Sequence, residues 1–312
     1  MKQYGFGVDV GGTTVKIGFF ETTGKMLDKW EIKTNTDDNG KEILPDIAQA
    51  IDNKLAQESI SKSEVEGIGI GVPGPVRTDG VVNICVNLGW GIINVAEELG
   101  RMTGLKVKVG NDANVAALGE MWQGGGKGCK DVLMVTLGTG VGGGLIVDGK
   151  IVAGFHGAGG EIGHITVNND ELEPCNCGQY GCLEQYASAT GIVRMAKRKL
   201  AKTGKETSLR KYPELTAKDI FDEAKAGDAV AGQLVDHLGE ILGSALSNMA
   251  CVANPEVIVI GGGVSKAGQI LIDTIRQHFI ETAFHACRDT RFALATLGND
   301  AGMYGCMKLI LD

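Results

Sequence analysis

One histidine and three cysteines form the part of this sequence best suited to hold a metal ion: His164, Cys175, Cys177 and Cys182. Zinc takes four ligands in a tetrahedron, and a set of three cysteines and one histidine leaves no open position. Cysteines can also be small buried hydrophobic residues. However, three of the eight cysteines fall within one short, glycine-rich segment, whereas the other five are scattered. The spacing therefore predicts a structural zinc site.

Two acidic residues flank these ligands. Glu161 precedes His164, and Glu184 follows Cys182. A closed zinc site would hold both carboxylates rigidly beside it, and rigid carboxylates suit the binding of a small molecule rich in hydroxyl groups. The spacing alone also allows both residues to be ordinary solvated surface acids. We expect Glu161 and Glu184 to belong to a ligand site.

Three glycine turns follow strand-like segments: Gly11-Gly12-Thr13, Gly138-Thr139-Gly140 and Gly261-Gly262-Gly263. Residues 8–13 and 135–140 look like one structural motif that occurs twice, although two unrelated hairpins could share this pattern. The stretch from Gly138 to Gly143 formally matches the dinucleotide fingerprint, but apolar residues continue as a strand where that motif requires a helix. The sequence contains no Walker motif. The turns instead suit phosphate oxygens, bound through backbone N–H groups and threonine hydroxyls.

Two aspartates could act on a phosphate. Asp9 alternates with apolar neighbours, so its side chain points away from the apolar side of the strand and could hold a hydrated magnesium ion. Lys16, on the next strand, could contact phosphate or be an ordinary solvated residue. Asp112 follows a short strand and opens a helix, so it could be the helix N-cap. Alternatively, Asp112 could be the base that accepts the proton of an attacking hydroxyl in phosphoryl transfer.

Strands and helices alternate along the chain and would position these residues. Residues 4–32 read as an antiparallel meander of three strands, and residues 132–147 repeat the opening hairpin. Further strands are expected in these segments: 68–72, 107–109, 256–260 and 291–297. Helices are expected in these segments: 44–55, 93–102, 113–122, 183–202, from 216, 229–252, 265–280 with Ser265 as a cap, and from 301 onwards.

Composition limits the class of protein. A chain of 312 residues exceeds the usual size of a single core, which predicts two domains. The net charge of −8 argues against a nucleic-acid surface. No apolar segment resembles a signal peptide or a membrane span. We therefore expect a cytoplasmic protein, in which clustered thiols bind metal rather than form disulfides.

Several motifs together resemble the ROK family of bacterial sugar kinases and repressors, over nearly the whole chain. They are Asp9-Val10-Gly11-Gly12-Thr13-Thr14-Val15-Lys16, Asn111-Asp112-Ala113-Asn114, Gly138-Thr139-Gly140-Val141-Gly142, Gly160-Glu161-Ile162-Gly163-His164 and the cysteine segment that ends in Leu183-Glu184. The resemblance implies an α/β, two-lobed, actin-like or hexokinase-type fold of duplicated ribonuclease-H-like domains, with an interlobe active-site cleft. Residues 1–112 and 298–312 would form the small N-terminal lobe, and residues 113–297 the large lobe with the zinc site.

The resemblance also implies roles for individual residues. Asp112 would be the catalytic base, and His164 would be shared, with one ring nitrogen on zinc and the other facing the sugar. The sugar contacts would be Asn87, Asn111, Asp112, Glu161, His164 and Glu184. ATP and Mg²⁺ would contact Asp9, Gly11, Gly12, Thr13, Thr14, Lys16, Thr136, Gly138, Thr139, Gly140, Gly261, Gly262 and Gly263.

The resemblance implies an ATP-dependent hexose kinase, most like the members that phosphorylate the 6-hydroxyl of glucose, with ATP, Mg²⁺ and structural Zn²⁺ as cofactors. A kinase for N-acetylmannosamine, fructose or allose is an alternative. A sugar-responsive repressor is another, but family repressors carry a helix-turn-helix before the phosphate motif, and only eight residues precede Asp9 here. A silent sugar-binding module would be expected to lack Asp112 or the phosphate turns. We expect a homodimer or homotetramer, with no nucleic-acid or membrane partner.

Overall fold

The computed structural model describes residues 2–312, which form a mixed α/β fold. The strands are β1 Tyr4–Val10, β2 Thr14–Glu21, β3 Met26–Lys33, β4 Val65–Val72, β5 Val81–Val82, β6 Ile93–Asn94, β7 Val107–Asn111, β8 Val132–Leu137, β9 Val141–Val147, β10 Lys150–Ile151, β11 Val257–Gly261 and β12 Arg291–Leu294. The helices are α1 Asp37–Gly40, α2 Ile43–Glu58, α3 Val95–Thr103, α4 Asp112–Gln123, α5 Glu184–Ala187, α6 Ala189–Lys202, α7 Ala217–Lys225, α8 Ala229–Ala253, α9 Gln269–Thr282 and α10 Ala301–Leu311.

The first sheet has the strand order β3-β2-β1-β4-β7. Strands β1, β2 and β3 form the expected antiparallel meander, and β4 and β7 run parallel to β1. Alternating apolar side chains such as Phe6, Val8 and Ile17 are completely buried, and they pack with apolar residues of α2 and α3 in one core. Burial of this apolar face is the main force that holds the sheet and its helices together.

The second sheet has the strand order β10-β9-β8-β11-β12. Strand β11 lies parallel to both β8 and β12, with Val257 opposite Val132 on one side and Arg291 on the other. All five residues of β11 are buried, as expected for a central parallel strand. Strand β9 follows the Gly138 turn directly, so the expected strand after that turn is confirmed.

Two compact units can be distinguished in the chain. The first unit comprises the described residues up to Lys130 with Gly144–Gly160 and Leu297–Asp312, and the second comprises Asp131–Gly143 and Glu161–Thr296. Residues 113–130 and 144–160 thus group with the first unit, whereas the sequence led us to expect them in the second. Residues 113–130 belong there because α4 packs closely on α10, with Gly119 against the backbone of Ala301. Residues 144–160 follow because Gly144 lies against Ala117 of α4.

Two predicted helices are interrupted. The helix expected over residues 183–202 is broken at Ser188, whose backbone is extended and whose hydroxyl caps α6 by accepting a hydrogen bond from the Gly191 amide. The helix expected over residues 265–280 begins later than predicted, and the expectation that Ser265 caps it is wrong. The Ser265 hydroxyl donates to the Gly262 carbonyl within a 3₁₀ turn, and α9 begins only after Gly268, whose φ of 78° ends that turn.

No helix among residues 2–312 is both long enough and apolar enough to cross a lipid bilayer.

Candidate active site and metal centre

The four residues expected to bind metal are brought together in the second unit. The donor atoms of His164, Cys175, Cys177 and Cys182 all lie within 4.8 Å of one another. Sγ of Cys177 is 3.6 Å from Sγ of Cys182, and Sγ of Cys175 is 3.9 Å from Nδ1 of His164. A tetrahedral ion with Zn–S bonds of about 2.3 Å would separate its sulfur ligands by roughly 3.8 Å. The arrangement of this His/Cys cluster therefore fits zinc.

Glycine turns fold the cysteine segment into this arrangement. The Cys175 amide donates to the Gln179 carbonyl, and the Gly178 amide donates to the Cys175 carbonyl, which closes a tight loop. Gly178 and Gly181 have φ values of 87° and 69°, which other residues rarely adopt. A Cβ atom at Gly181 would also lie 1.7 Å from the Asn168 carbonyl oxygen. The glycines between the cysteines are therefore required by backbone geometry.

A buried carboxylate, which the sequence did not reveal, braces this loop. Glu171 is 7% exposed and accepts hydrogen bonds from Arg194, Arg198 and the Tyr186 hydroxyl. The Arg198 guanidinium holds the pKa of Glu171 well below its usual range, although burial opposes this effect. Arg194 also donates to the Gln185 carbonyl. These bonds connect the segment that carries the cysteines to α6 independently of any ion.

The two acids expected beside the metal differ in their surroundings. Oε1 of Glu184 lies 2.9 Å from Sγ of Cys175 and 4.0 Å from Nδ1 of His164. Glu161 is exposed, and its carbonyl accepts a hydrogen bond from the His164 amide at the start of a 3₁₀ turn. His164 keeps 39% of its side chain exposed. The second unit thus presents an imidazole and two carboxylates around the cluster.

Asp112 is not the cap of its helix. Asn111 takes that role, since its side-chain oxygen accepts a hydrogen bond from the Asn114 amide while its Nδ2 donates to the Gly74 carbonyl. Asp112 is the first residue of α4, and its carboxylate accepts a hydrogen bond from the Ala113 amide. Burial raises the pKa of Asp112. Hydrogen bonds from the Ala113 amide and the Asn111 side chain oppose this shift only in part. The alternative that Asp112 is the N-cap of α4 is therefore wrong.

Asp9 lies close enough to Asp112 for their charges to interact. Burial raises the pKa of Asp9 from 3.8 to about 6. Lys16, which pairs with Asp9 on the neighbouring strand β2, lowers this pKa, and Asp112 raises it. A nearby cation would favour the charged form of the buried Asp9 carboxylate. Asp9 fits Mg²⁺, which takes one or two carboxylates and keeps several waters.

The first glycine turn and Asn87 lie together in the first unit. Gly12 and Thr13 are exposed, while the Gly11 amide donates to the Thr14 carbonyl to close the turn between β1 and β2. A Cβ atom at Gly12 would lie 3.9 Å from the Asn87 carbonyl oxygen. The side chain of Asn87 is exposed. The turn is therefore open to a ligand and has Asn87 beside it.

The other two glycine turns are neighbours in the second unit. A Cβ atom at Gly262 would lie 2.5 Å from the Leu137 carbonyl oxygen, and Gly261 pairs with Thr136 on β8. A Cβ atom at Gly140 would lie 2.6 Å from Oε2 of Glu184. The turn expected to bind ATP thus packs directly against a residue expected to bind sugar.

Two cavities lie beside these turns. One, of about 390 Å³, is lined by residues that include Thr139, Gly140, Cys175, Glu184 and Arg194. The other, of about 330 Å³, is lined by residues that include Ala189, Thr216, Phe221, Gly263 and Val264. Both lie within the size range of small-molecule sites. The second cavity has the more apolar lining and lies beside Gly263.

Sequence reasoning overlooked Gly302 in α10. A Cβ atom at this position would lie 2.7 Å from Cγ of Asp9. The available signal was the pair Gly302 and Gly305, because glycine is unfavourable inside a helix and often marks close packing there.

Several known proteins are similar to this chain over nearly its whole length. The chain is 51% identical over 305 residues to the glucokinase of Halalkalibacterium halodurans, which covers 96% of this chain and 92% of that protein. It is 36% identical to the glucokinase of Thermotoga maritima, covering 98% of this chain and 96% of that protein. The crystal structure of a ROK family glucokinase from Streptomyces griseus with glucose and AMPPNP has a TM-score of 0.72 to this chain, at 33% identity and 98% coverage of both chains. Residues 5–312 match the model of the ROK family, and the chain belongs to that family.

Proposed function

We propose that this protein is a glucokinase, which transfers the γ-phosphoryl group of ATP to the 6-hydroxyl of glucose. The observation that carries the proposal is the 51% identity to a glucokinase over 96% of the chain. The geometry agrees, since the chain combines a buried carboxylate at a strand end, three glycine turns and a His/Cys cluster flanked by acids.

In the proposed reaction, Asp112 accepts the proton of the 6-hydroxyl while the sugar oxygen bonds to the γ-phosphorus and the bond to the leaving ADP oxygen breaks. Its raised pKa brings the carboxyl group nearer to the operating pH, which suits a general base. Asn111 fixes the start of α4 and thereby the position of Asp112. Asp9 would hold Mg²⁺, which when bound neutralises charge on the phosphate oxygens.

The ATP phosphates would be held by exposed Gly12 and Thr13 in the first turn and by Thr139 and Gly140 in the second. Contacts from Thr14, Lys16, Thr136 and Gly138 are part of the same proposal. Gly261, Gly262 and Gly263 would lie beside the adenosine, next to the cavity that includes Phe221. The lining of that cavity is largely apolar, which suits a flat base.

The sugar hydroxyls would be bound by Glu161, His164 and Glu184, together with Asn87 and Asn111. His164, Cys175, Cys177 and Cys182 would hold zinc, whose role is structural because the four ligands leave no open position. With Nδ1 of His164 turned towards the cysteines, Nε2 is the ring nitrogen left for a sugar hydroxyl.

We also propose a cytoplasmic location, in which the thiol ligands stay reduced, and a homodimer or homotetramer, as is typical of the family. Size-exclusion chromatography with light scattering would test the assembly.

Coupled detection of ADP release tests the proposed reaction. The purified protein with ATP and Mg²⁺ should turn over glucose with a higher kcat/KM than N-acetylmannosamine, fructose or allose. Preference for another sugar would make the protein a kinase for that sugar, and absence of turnover with every sugar would reject the kinase proposal.

A further inference from the structure

The backbone of the last helix, α10, lies close against the first sheet. A Cβ atom at Gly7 of β1 would lie 2.0 Å from the Met303 carbonyl oxygen, and one at Gly69 of β4 would lie 1.7 Å from the Cys306 carbonyl oxygen. Real Cβ atoms do not approach other atoms so closely. The glycines of both strands therefore allow the helix to lie directly on the sheet, where close packing leaves it little room to shift.

Gly302 brings the same kind of contact to Asp9. The three heavy atoms nearest to a Cβ atom at Gly302 are Cγ of Asp9 at 2.7 Å, Oδ2 at 2.7 Å and Oδ1 at 3.1 Å. All three belong to one carboxylate. Gly302 does not have a positive φ, so its backbone conformation would accept alanine. The obstacle to a side chain at this position is the Asp9 carboxylate.

One helical turn later, Cys306 fixes the neighbouring residue of β1. Its thiol is completely buried and donates a hydrogen bond of 3.1 Å to the Val8 carbonyl. The same face of α10 thus contacts both the backbone immediately before Asp9 and the carboxylate of Asp9 itself. Residues four apart on a helix share a face, which explains how Gly302 and Cys306 act on adjacent residues of one strand.

We propose that Gly302 is a positioning residue for phosphoryl transfer: by having no side chain, it lets the backbone of α10 support the Asp9 carboxylate in the orientation that the magnesium–ATP site needs. The inference rests on the proposed function, in which Asp9 holds Mg²⁺. A methyl group at residue 302 would push the carboxylate away from this orientation, while the sugar contacts would be unaffected.

Gly302→Ala tests the proposal in two independent ways. The variant should lose at least tenfold in kcat while the Kd for glucose, measured by calorimetry without ATP, stays at the wild-type value. Alanine normally stabilises a helix relative to glycine. Here Tm should instead fall, because the methyl group and the carboxylate compete for the same space. Wild-type kcat in this variant would overturn the proposal.

The second test is a double-mutant cycle in Tm, which needs no activity. Asp9→Ala removes the carboxylate, so the Tm loss caused by Gly302→Ala should disappear in the double variant. Equal Tm losses in both backgrounds would show that Gly302 has a general packing role and would overturn the proposal. Should Gly302→Ala fail to fold alone, recovery of folding in the double variant supports the proposal, and failure of both rejects it.

Two glycines serve as matched controls. A Cβ atom at Gly305 would lie 1.6 Å from the Val115 carbonyl oxygen, so Gly305→Ala should lower Tm equally with and without Asp9. Gly232 in α8 has open space around it, so Gly232→Ala should keep or raise Tm and leave kcat unchanged. If the wild-type protein phosphorylates no sugar, the proposed function fails, but the Tm cycle still decides whether Gly302 and Asp9 are coupled.

Discussion

Nδ1 of His164 faces Sγ of Cys175 across 3.9 Å, and Nε2 is therefore the nitrogen on the opposite side of the ring. A metal bound at one ring nitrogen fixes which tautomer the other presents. The proposed zinc ion would thus do more than stabilise the loop, because it would also determine how the imidazole meets a hydroxyl group.

Replacement of one thiol should release the metal. Cys177→Ser leaves three ligands, and we expect elemental analysis of the purified variant to find far less than one zinc per chain. Glucose affinity should weaken as His164 loses its fixed orientation. Cys251→Ser is the matched control, since Cys251 is exposed on α8 and lies outside the cluster. Stoichiometric zinc in Cys177→Ser would show that the cysteines have another role.

Asp9→Asn should make the protein more stable at neutral pH and inactive as a kinase. The pKa of the Asp9 carboxyl is raised to about 6 in the folded protein, from 3.8. This difference of about two pH units corresponds to at most about 3 kcal/mol of destabilisation by the buried charge. Asparagine has nearly the same shape and no charge, so thermal unfolding should show a higher Tm than wild type at pH 7.5.

The size of this effect depends on pH. Because the folded carboxyl holds its proton more tightly than the unfolded one, wild-type stability should fall as pH rises from about 4 to 6 and then level off with respect to this group. The Tm advantage of Asp9→Asn should therefore shrink towards pH 4. An advantage of equal size at pH 4 and pH 7.5 would contradict a charge-based cause.

Glu171→Gln should destabilise the protein at neutral pH. The buried Glu171 carboxylate accepts hydrogen bonds from Arg194 and Arg198, and we expect a loss of roughly 2 kcal/mol, less than for a fully buried pair because both arginines are partly exposed. A lowered carboxyl pKa stabilises the fold above the unfolded pKa of 4.5 and loses this effect as pH falls further. Chemical unfolding of wild type and Glu171→Gln at several pH values measures the loss of stability and its dependence on pH.

The control for this variant lies two residues away. Glu173 also contacts both arginines but is exposed, so Glu173→Gln should change stability far less than Glu171→Gln does. Equal losses in Glu171→Gln and Glu173→Gln would show that burial of Glu171 is not what makes its ion pairs strong.

Local patterns in the sequence were sufficient to predict much of this molecule. The meander from β1 to β3 follows from strict alternation of apolar residues, and the His/Cys cluster follows from ligand type and glycine spacing, so both could be predicted from the residues alone. The break at Ser188 was less accessible, because the apolar pattern continues across it. The extended backbone of Ser188 and the hydrogen bond from the Gly191 amide show that a new helix begins there.

Contacts between distant segments could not be predicted in this way. Glu171 looks like an ordinary loop acid until the fold brings Arg194 and Arg198 to it, and Gly302 looks like a weak point in a helix until it lies against Asp9. Both relationships join segments that are far apart in the chain or in different elements, for which neither hydrophobic period nor motif spacing carries information.

Asp112→Asn tests the proposed chemistry most directly. The amide keeps the size of the side chain but cannot accept the proton of the sugar hydroxyl, so kcat should fall by about 10²–10⁴-fold, as expected for loss of a positioned base. The Kd for glucose, measured by calorimetry, should remain close to that of the wild type and of the control Asp289→Asn, which replaces an exposed aspartate. Near-normal turnover of glucose by Asp112→Asn would contradict the assignment of Asp112 as the base.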